Sequence, residues 1–238
     1  MYISNFKRME KKYLLSENDY NHIMSKLNQY LEKDPYYKST ICNIYFDTEK
    51  FDLIQSSLEK PIYKEKVRLR SYGIPQLDDT VFLEIKKKYK GVVGKRRIQL
   101  KLSEFYDYLE KHNIPNCNKQ ILEELDYCFK HYNLQPKVFI AYDRLSYYSK
   151  ENREFRITFD TNIRSRYDNL RLELGDSGNL YFQDKRYIME VKTLDSFPMW
   201  FTKILEGCHI YPDSFSKYGN IYSKKIKGEI YVWKYFYN

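Results

Sequence analysis

The amino-acid sequence predicts an α+β fold: a β-barrel or a large sheet with helices packed outside it. Three observations carry this expectation. Roughly eight or nine segments have the length and alternation of strands. Helical segments fall between them, and many strands of this length in one domain favour a barrel or a large sheet clothed by helices. On about seven of the strands one face is apolar and the other is charged, because residues two apart on a strand share a face.

The elements follow in order. Residues Phe6 to Leu15 alternate as a strand and end at Ser16-Glu17-Asn18-Asp19, a helix-start signal. A helix then runs to about Leu31, with Ile23, Leu27, Tyr30 and Leu31 at helical spacing. Ile41–Asp47 reads as a strand, Thr48–Leu58 as a short helix and Tyr63–Tyr72 as a strand. Asp78-Asp79 marks a turn into the strand Thr80–Lys88, and Gly91 and Gly94 bracket a connection into Lys95–Lys101. Ser103 can cap a helix to about His112, and Asn118 another to about Tyr132. After Pro136, Val138–Ser149 and Glu154–Arg166 read as long strands joined at Lys150–Arg153. A short strand lies near Leu180–Gln183, and Tyr187–Thr193 is a further strand. Pro198 opens a helix to about Glu206, Ser214–Lys225 is helical, and the tail 226–237 could be strand or helix. No repeat or Gly/Ser linker divides the chain, so residues 1–238 read as one domain.

Composition excludes several classes. The chain has 238 residues with 14 Phe and 26 Tyr, enough apolar and aromatic surface for a sizeable core rather than disorder. One alanine, Ala141, among many Lys, Asn, Ile and Tyr points to codon bias, so raw Lys and Tyr frequency is not a functional signal. No apolar stretch approaches the roughly 18 residues that span a bilayer, and the N-terminus lacks the apolar core of a signal peptide. The four cysteines form no CxxC pair and the four histidines are scattered, which disfavours a disulfide framework, a zinc site and a Ser-His-Asp triad. The expectation is a reduced, soluble, cytoplasmic protein. The formal charge of +9 favours an anionic partner.

Strand alternation gives that charge a direction. Arg8, Glu10 and Lys12 share a face opposite Met9 and Tyr13; Arg68 and Arg70 share one opposite Val67 and Leu69. Glu84 pairs with Lys86, Lys95 with Arg97, Tyr142 with Arg144, Arg156 with Thr158, and Glu190 with Lys192. A sheet with one solvated face gives the same alternation. Here, though, the polar positions are dominated by arginine and lysine at mid-strand, not by Thr, Ser, Gln and Asn. If the strands close, the lumen is basic and contains Glu10, Glu84 and Glu190. Crowded cations repel unless a polyanion fills the space. Arginine offers bidentate forks to phosphate oxygens, and carboxylates suit a hard divalent ion. A nucleic-acid binder is disfavoured, because these faces carry carboxylates and lack mid-strand stacking aromatics.

The ordered set of motifs carries a resemblance. The run Arg8-x-Glu10-x-Lys12-Tyr13 is followed by IYFDTEKFDLI (44–54), VRLRSYG (67–73), VFLEIK (81–86), YDRLSYYS (142–149), FRITFD (155–160), MEVKT (189–193) and FSKYG (215–219). Together they resemble the VTC (vacuolar transporter chaperone) catalytic domain, a CYTH-like branch of the triphosphate tunnel metalloenzymes, from about residue 6 to 225, with 226–238 as a C-terminal tail. The resemblance implies an antiparallel β-barrel, with helices packed outside, that encloses a triphosphate tunnel. It also implies polyphosphate polymerase activity, in which the γ-phosphate of ATP passes to a growing inorganic polyphosphate chain. It places Lys12, Arg68, Arg70, Lys86, Arg144 and Arg156 at the family's catalytic phosphate-binding positions. Tyr142, Ser216 and Lys217 match lining positions, and alternation adds Arg8, Lys192, Lys95 and Arg97. Either Lys95 or Arg97 fills one basic position of the family. Glu190 matches the metal-binding glutamate, with Glu10 as its companion, and Mn²⁺ or Mg²⁺ is the implied ion.

The departures from the family pattern are specific. The wider superfamily begins ExExK, whereas this chain has Arg8 at the first position, as the VTC branch does. Ser214 stands where the family often has a further lysine, and the Gly94–Arg97 segment is shorter than in eukaryotic members. The regulatory SPX domain and membrane segment of the eukaryotic assemblies are not in this chain, which leaves room for a membrane partner. Two other readings stay open: a tunnel triphosphatase, and a non-catalytic polyphosphate or nucleotide binder. Trp200 and Phe201 read as core. Lys87-Lys88-Tyr89-Lys90 reads as a solvated turn or as a guide for anions.

Overall fold

A computed structural model describes residues 9–111, 113, 115, 117–194 and 196–236. The order is β1 (Met9–Ser16), α1 (Glu17–Leu27), β2 (Leu31–Asp47), α2 (Asp52–Leu58), β3 (Tyr63–Tyr72), β4 (Thr80–Tyr89), β5 (Val92–Lys101), α3 (Leu102–Lys111), α4 (Lys119–Tyr132), β6 (Gln135–Ser149), β7 (Arg156–Arg166), β8 (Asn179–Leu180), β9 (Arg186–Thr193), α5 (Met199–Gly207) and α6 (Lys217–Phe236). The strands form a large antiparallel sheet in the order β1-β9-β7-β6-β2-β3-β4-β5, with β8 on β7. The mixed α and β content and the antiparallel pairing are as the sequence predicts. The closed barrel is not: β1 and β5 are the two ends of the order. Both end strands are charged, with Glu10, Lys11 and Lys12 on β1 and Lys95, Arg96 and Arg97 on β5, and charged edges discourage further pairing. The outer edge of β1 is instead covered at Lys12 by Asp213, whose amide donates to the Lys12 carbonyl at 2.7 Å.

The chain is organised as two compact units, each assembled from three segments. The first comprises residues up to 39, 142–163 and 182–215. In it β1 pairs with β9 and β9 with β7, all antiparallel. The apolar faces of these strands (Tyr13, Leu15, Ile157, Phe159, Met189, Val191) bury against Ile23 and Leu27 of α1 and Phe201 and Leu205 of α5. Helix α1 starts where the sequence says it should. The Ser16 hydroxyl accepts from the Asp19 amide while the Asp19 carboxylate accepts from the Ser16 amide, a reciprocal capping box. Phe201 is fully buried and Trp200 stacks on Tyr30 with centroids 4.3 Å apart, so both serve the core.

The second unit comprises residues 40–141, 164–181 and 216 onward. Strands β2, β3, β4 and β5 are consecutive antiparallel neighbours. Ile44, Phe46, Val67, Leu69, Val81, Leu83 and Ile85 pack beneath Phe105 and Tyr108 of α3 and Leu122 and Leu125 of α4. In both units the apolar strand faces lie under helices, which leaves the charged faces on the other side.

Several boundaries differ from expectation for local reasons. Helix α1 ends at Leu27 rather than near Leu31, since a turn over residues 28–30 leads directly into β2. Strand β2 is 17 residues long, and its first half, Glu32–Lys38, is mostly exposed and carries Pro35, so it lacks a core-facing alternation. Helix α3 begins at Leu102, which puts Ser103 inside the first turn rather than at the cap. Lys87–Tyr89 belong to β4, and the turn is confined to Lys90-Gly91. The tail is helical to Phe236. Among the described residues no helix is long and apolar enough to cross a membrane.

Candidate functional site

The charged face of the second unit is built in rows by strand register. Lys66, Lys86 and Lys95 stand side by side across β3, β4 and β5. Two residues along comes the row Tyr45, Arg68, Glu84 and Arg97, and then Asn43, Arg70, Phe82 and Gln99. The middle row is knitted around one carboxylate. Glu84, only 1% exposed, accepts from Arg68 Nε at 2.7 Å and lies 2.6 Å from Arg68 Nη2. Its second oxygen, Oε1, has Lys95 Nζ at 3.3 Å and Arg70 Nη1 at 3.9 Å, but no aligned hydrogen bond. Burial opposes ionisation of Glu84, yet Arg68, Arg70 and Lys95 together hold its pKa down at about 2. Lys95, whose side chain is still 45% exposed, feels the converse: partial loss of water, aided by Arg68 and Arg70, lowers it to about 8 despite Glu84.

The arginines are braced from β2. Arg68 Nη1 donates to the Tyr45 hydroxyl at 3.1 Å, and Arg70 Nε to Asn43 Oδ1 at 3.1 Å. Asn43 is fixed in turn by donating to the Ile140 carbonyl. Tyr45 stacks on Tyr218 of α6, centroids 4.7 Å apart. The Tyr218 hydroxyl donates to buried Asp47 at 2.8 Å. Asp47 also accepts the amides of Leu53 and Ile54 at the start of α2. Burial raises the pKa of Asp47 above the usual carboxylate value, against these hydrogen bonds. Lys66 Nζ donates to Ser216 Oγ at 3.1 Å, and the Gly219 amide donates to the same oxygen. The sequence-predicted Arg68, Arg70, Lys86, Lys95 and Arg97 therefore share one face, Ser216 joins them through Lys66, and Lys217 opens α6.

The first unit carries a second cluster. Register places Glu10 opposite Lys192 and Arg156, and Lys12 opposite Glu190 and Thr158. Arg144 grips fully buried Asp160 with two bonds, Nε to Oδ1 at 2.6 Å and Nη2 to Oδ2 at 2.8 Å, and sits over the ring of buried Tyr142. Its Nη2 is 3.9 Å from Glu190 Oε2, while Lys192 Nζ is 2.7 Å from Glu190 Oε1. Burial works against the charge on Arg144, but Asp160 holds its pKa well above the ordinary value. Lys12 Nζ donates to the Phe215 carbonyl at 3.1 Å and lies 3.9 Å from Glu10. Glu10, Lys12, Tyr142, Arg144, Glu190 and Lys192 are thus gathered. Arg156 follows Lys192 in register but is exposed, and its Nε donates to the Arg153 carbonyl. Arg8 lies outside the described residues.

Residues that sequence reading passed over are the supports: Asn43, Tyr45, Lys66 and Asp160, with Glu84 seen as a face residue but not as the hub. The signal was present, since Asn43, Tyr45 and Asp47 alternate on β2 and Lys66 continues the Arg68–Arg70 series. As for a metal, no group of three or more His, Cys, Asp or Glu converges among the described residues. The donor that fits is Glu190, opposite a Thr158 hydroxyl that is buried without a hydrogen-bond partner. A magnesium-like ion commonly takes one or two carboxylates and completes its shell with waters and substrate phosphates. Glu190 already has Lys192 Nζ at 2.7 Å and Arg144 Nη2 at 3.9 Å, so an ion held there would share the carboxylate with these cations.

Two solved structures have the same fold. A proposed adenylate cyclase from Bacillus halodurans aligns with a TM-score of 0.54 at 16% identity, over 88% of this chain and 93% of the other. A proposed adenylyl cyclase from Hippeastrum, for which a dominant triphosphatase activity is described, aligns with a TM-score of 0.55 at 16% identity, over 91% and 96%. No curated protein matches the sequence. The family model of the VTC domain matches residues 7–225, nearly the whole length over which the ordered motifs run, and the chain belongs to the VTC domain family.

Proposed function

We propose that the chain is a metal-dependent polyphosphate polymerase. An oxygen of the terminal phosphate of an inorganic polyphosphate chain would bond to the γ-phosphorus of ATP, the β–γ bridging bond would break, and ADP would leave with the bridging oxygen. The observation that carries this reading is the row Lys66-Lys86-Lys95 beside Arg68, Arg70 and Arg97. Like charges placed directly opposite one another destabilise a sheet, so such a row is economical only where a polyanion spends time. VTC family membership supports the same substrate class.

Positioning and electrostatics do most of the work in phosphoryl transfer. Arg68 and Arg70 are held by Tyr45, Asn43 and Glu84 with their guanidinium planes fixed, which lowers the cost of ordering them on phosphate oxygens. Lys86, Lys95 and Arg97 add charge on the same face, and Lys12, Arg144, Arg156 and Lys192 are the cations of the first unit. Glu190, with Glu10, would hold Mn²⁺ or Mg²⁺, which when bound neutralises charge on phosphate oxygens. No side-chain nucleophile is required, because the acceptor phosphate is already anionic. Ser216 and Lys217 at the start of α6 would close the phosphate set, and Tyr142 would keep Arg144 in place.

A second reading, hydrolysis of a nucleotide or inorganic triphosphate, is favoured by the triphosphatase activity of the Hippeastrum protein. One incubation separates the two. Purified protein with ATP and Mn²⁺ is expected to yield a product that resists nuclease and is degraded by exopolyphosphatase. Phosphate release without polymer would support the hydrolase, and binding of both anions without turnover would support a binding module. Glu190→Ala should abolish the product; full activity in that variant would remove the metal role.

A further inference from the structure

The cationic face of the second unit continues past the rows assigned to triphosphate. By alternation Lys64 follows Lys66 on β3 and Lys88 follows Lys86 on β4, and register sets Lys64 directly opposite Lys88. Lys60 lies in the turn that leads into β3. Lys64 and Lys88, as direct cross-strand partners, are close enough to act on one another. Lys64 is half-buried, and burial, helped by Lys88, Lys60 and Lys86, lowers its pKa. Its ammonium donates to the Ser57 carbonyl, a neutral partner.

Carboxylates are sorted to the other side of the same strands. Glu65 is buried and accepts from Cys128 Sγ and the Tyr63 hydroxyl, and Glu124 of α4 pairs with Lys87 at 2.6 Å. On β3, β4 and β5 alternation leaves Glu84 as the one carboxylate of the lysine face, and it is already committed to Arg68 and Lys95. The ladder therefore adds positive charge one row, roughly 7 Å, beyond Lys66 and Lys86.

We infer that Lys60, Lys64 and Lys88 form an extension of the anion site that takes the further phosphate units of a chain longer than a triphosphate. The inference rests on the polyphosphate reading above and narrows it: the preferred ligand is an extended inorganic polyphosphate, gripped by its charge and unit spacing rather than by any base. It also gives a role on the strand face to Lys88, which the sequence alone leaves in a solvated turn or an anion guide and which lies on β4.

The test compares the full chain with the variant Lys60→Gln/Lys64→Gln/Lys88→Gln. Affinities for tripolyphosphate and for polyphosphate of several tens of units are measured by calorimetry at one fixed salt concentration. The native chain is expected to prefer the long chain. The variant should lose about tenfold in long-chain affinity while tripolyphosphate binding stays within about twofold. A charge-matched control, Lys38→Gln/Lys119→Gln/Lys203→Gln, should behave as the native chain. Retained long-chain preference in the ladder variant, or equal loss in the control, would overturn the inference while leaving the triphosphate site standing. If the native chain bound neither anion, the polyphosphate reading itself would fall, and the inference with it. A single-stranded oligonucleotide that bound as tightly, and with the same sensitivity to the three substitutions, would overturn the choice of ligand.

Discussion

Glu84 is the counter-ion of Arg68, Arg70 and Lys95 and titrates far from its ordinary range, at about 2 against 4.5. A carboxylate whose folded pKa is depressed contributes stability above its unfolded pKa and loses it as pH falls through the folded one. The contribution, about 3 kcal/mol at most, should therefore disappear between pH 4.5 and 2. Urea unfolding midpoints across that window should fall less steeply for Glu84→Gln than for the native chain; parallel slopes would contradict the assignment. Lys95 has the opposite linkage. Its folded pKa of about 8 lies below 10.5, so the folded state binds fewer protons than the unfolded state between these values, and stability rises with pH there. A bound phosphate reverses the shift by stabilising the ammonium. Tripolyphosphate binding near pH 8 should take up protons, seen as a buffer-dependent calorimetric heat, and weaken as pH rises to about 9.5. Lys95→Met should abolish the proton uptake. The sequence marked Lys95 and Glu84 as face residues, but it could not show that one buried carboxylate serves three cations, because that depends on rotamers and burial rather than on alternation.

At the scale of elements, β3 was fully legible. Tyr63–Tyr72 is the strand expected, Val67 and Leu69 are buried in the core, and Arg68 and Arg70 lie on the opposite face. Alternation works here because the apolar face packs beneath helices, which fixes register strongly. It fails where that constraint is missing, as in the exposed first half of β2. It also cannot report closure, since a period of two gives the face of each strand and not the partner of the last one. Arg156 shows the same limit: alternation puts it beside Lys192, but its guanidinium turns to the Arg153 carbonyl. The ladder Lys66-Lys86-Lys95 gives a prediction at this scale. Lys86 is exposed and flanked by lysine on both neighbouring strands. Lys86→Met should stabilise the ligand-free protein by roughly 0.2–1 kcal/mol, because it removes two like-charge cross-strand contacts. The same change should weaken triphosphate binding. A variant less stable than native, or one with unchanged affinity, would show that the row is an ordinary solvated face.

For the whole molecule, the net charge of +9 says only that an anion is welcome. Its distribution says more. The cations differ in how well they are shielded from salt. Arg70 and Arg144 have side chains 8% and 16% exposed and are fixed by hydrogen bonds, Arg70 to Asn43 and Arg144 to the buried Asp160 carboxylate, whereas Lys86 and Lys60 stand in water. Exposed charges are screened beyond about 8–10 Å at physiological ionic strength, and buried ones much less. The two sets should therefore respond differently as salt rises from about 50 to 300 mM. Affinity for tripolyphosphate, held by the fixed guanidinium groups, should fall with a shallow slope of log affinity against log salt. Affinity for a long polyphosphate, which must add the exposed lysines, should fall more steeply, because each further contact releases counter-ions from the polyanion. The native chain should thus lose much of its preference for the long chain at high salt while keeping triphosphate. Arg70→Lys, which removes the fork but keeps the charge, should weaken both ligands with the slopes unchanged. Two equal slopes in the native chain would mean that the charge acts as a diffuse cloud, and the distinction between a fixed arginine site and a lysine extension would not survive.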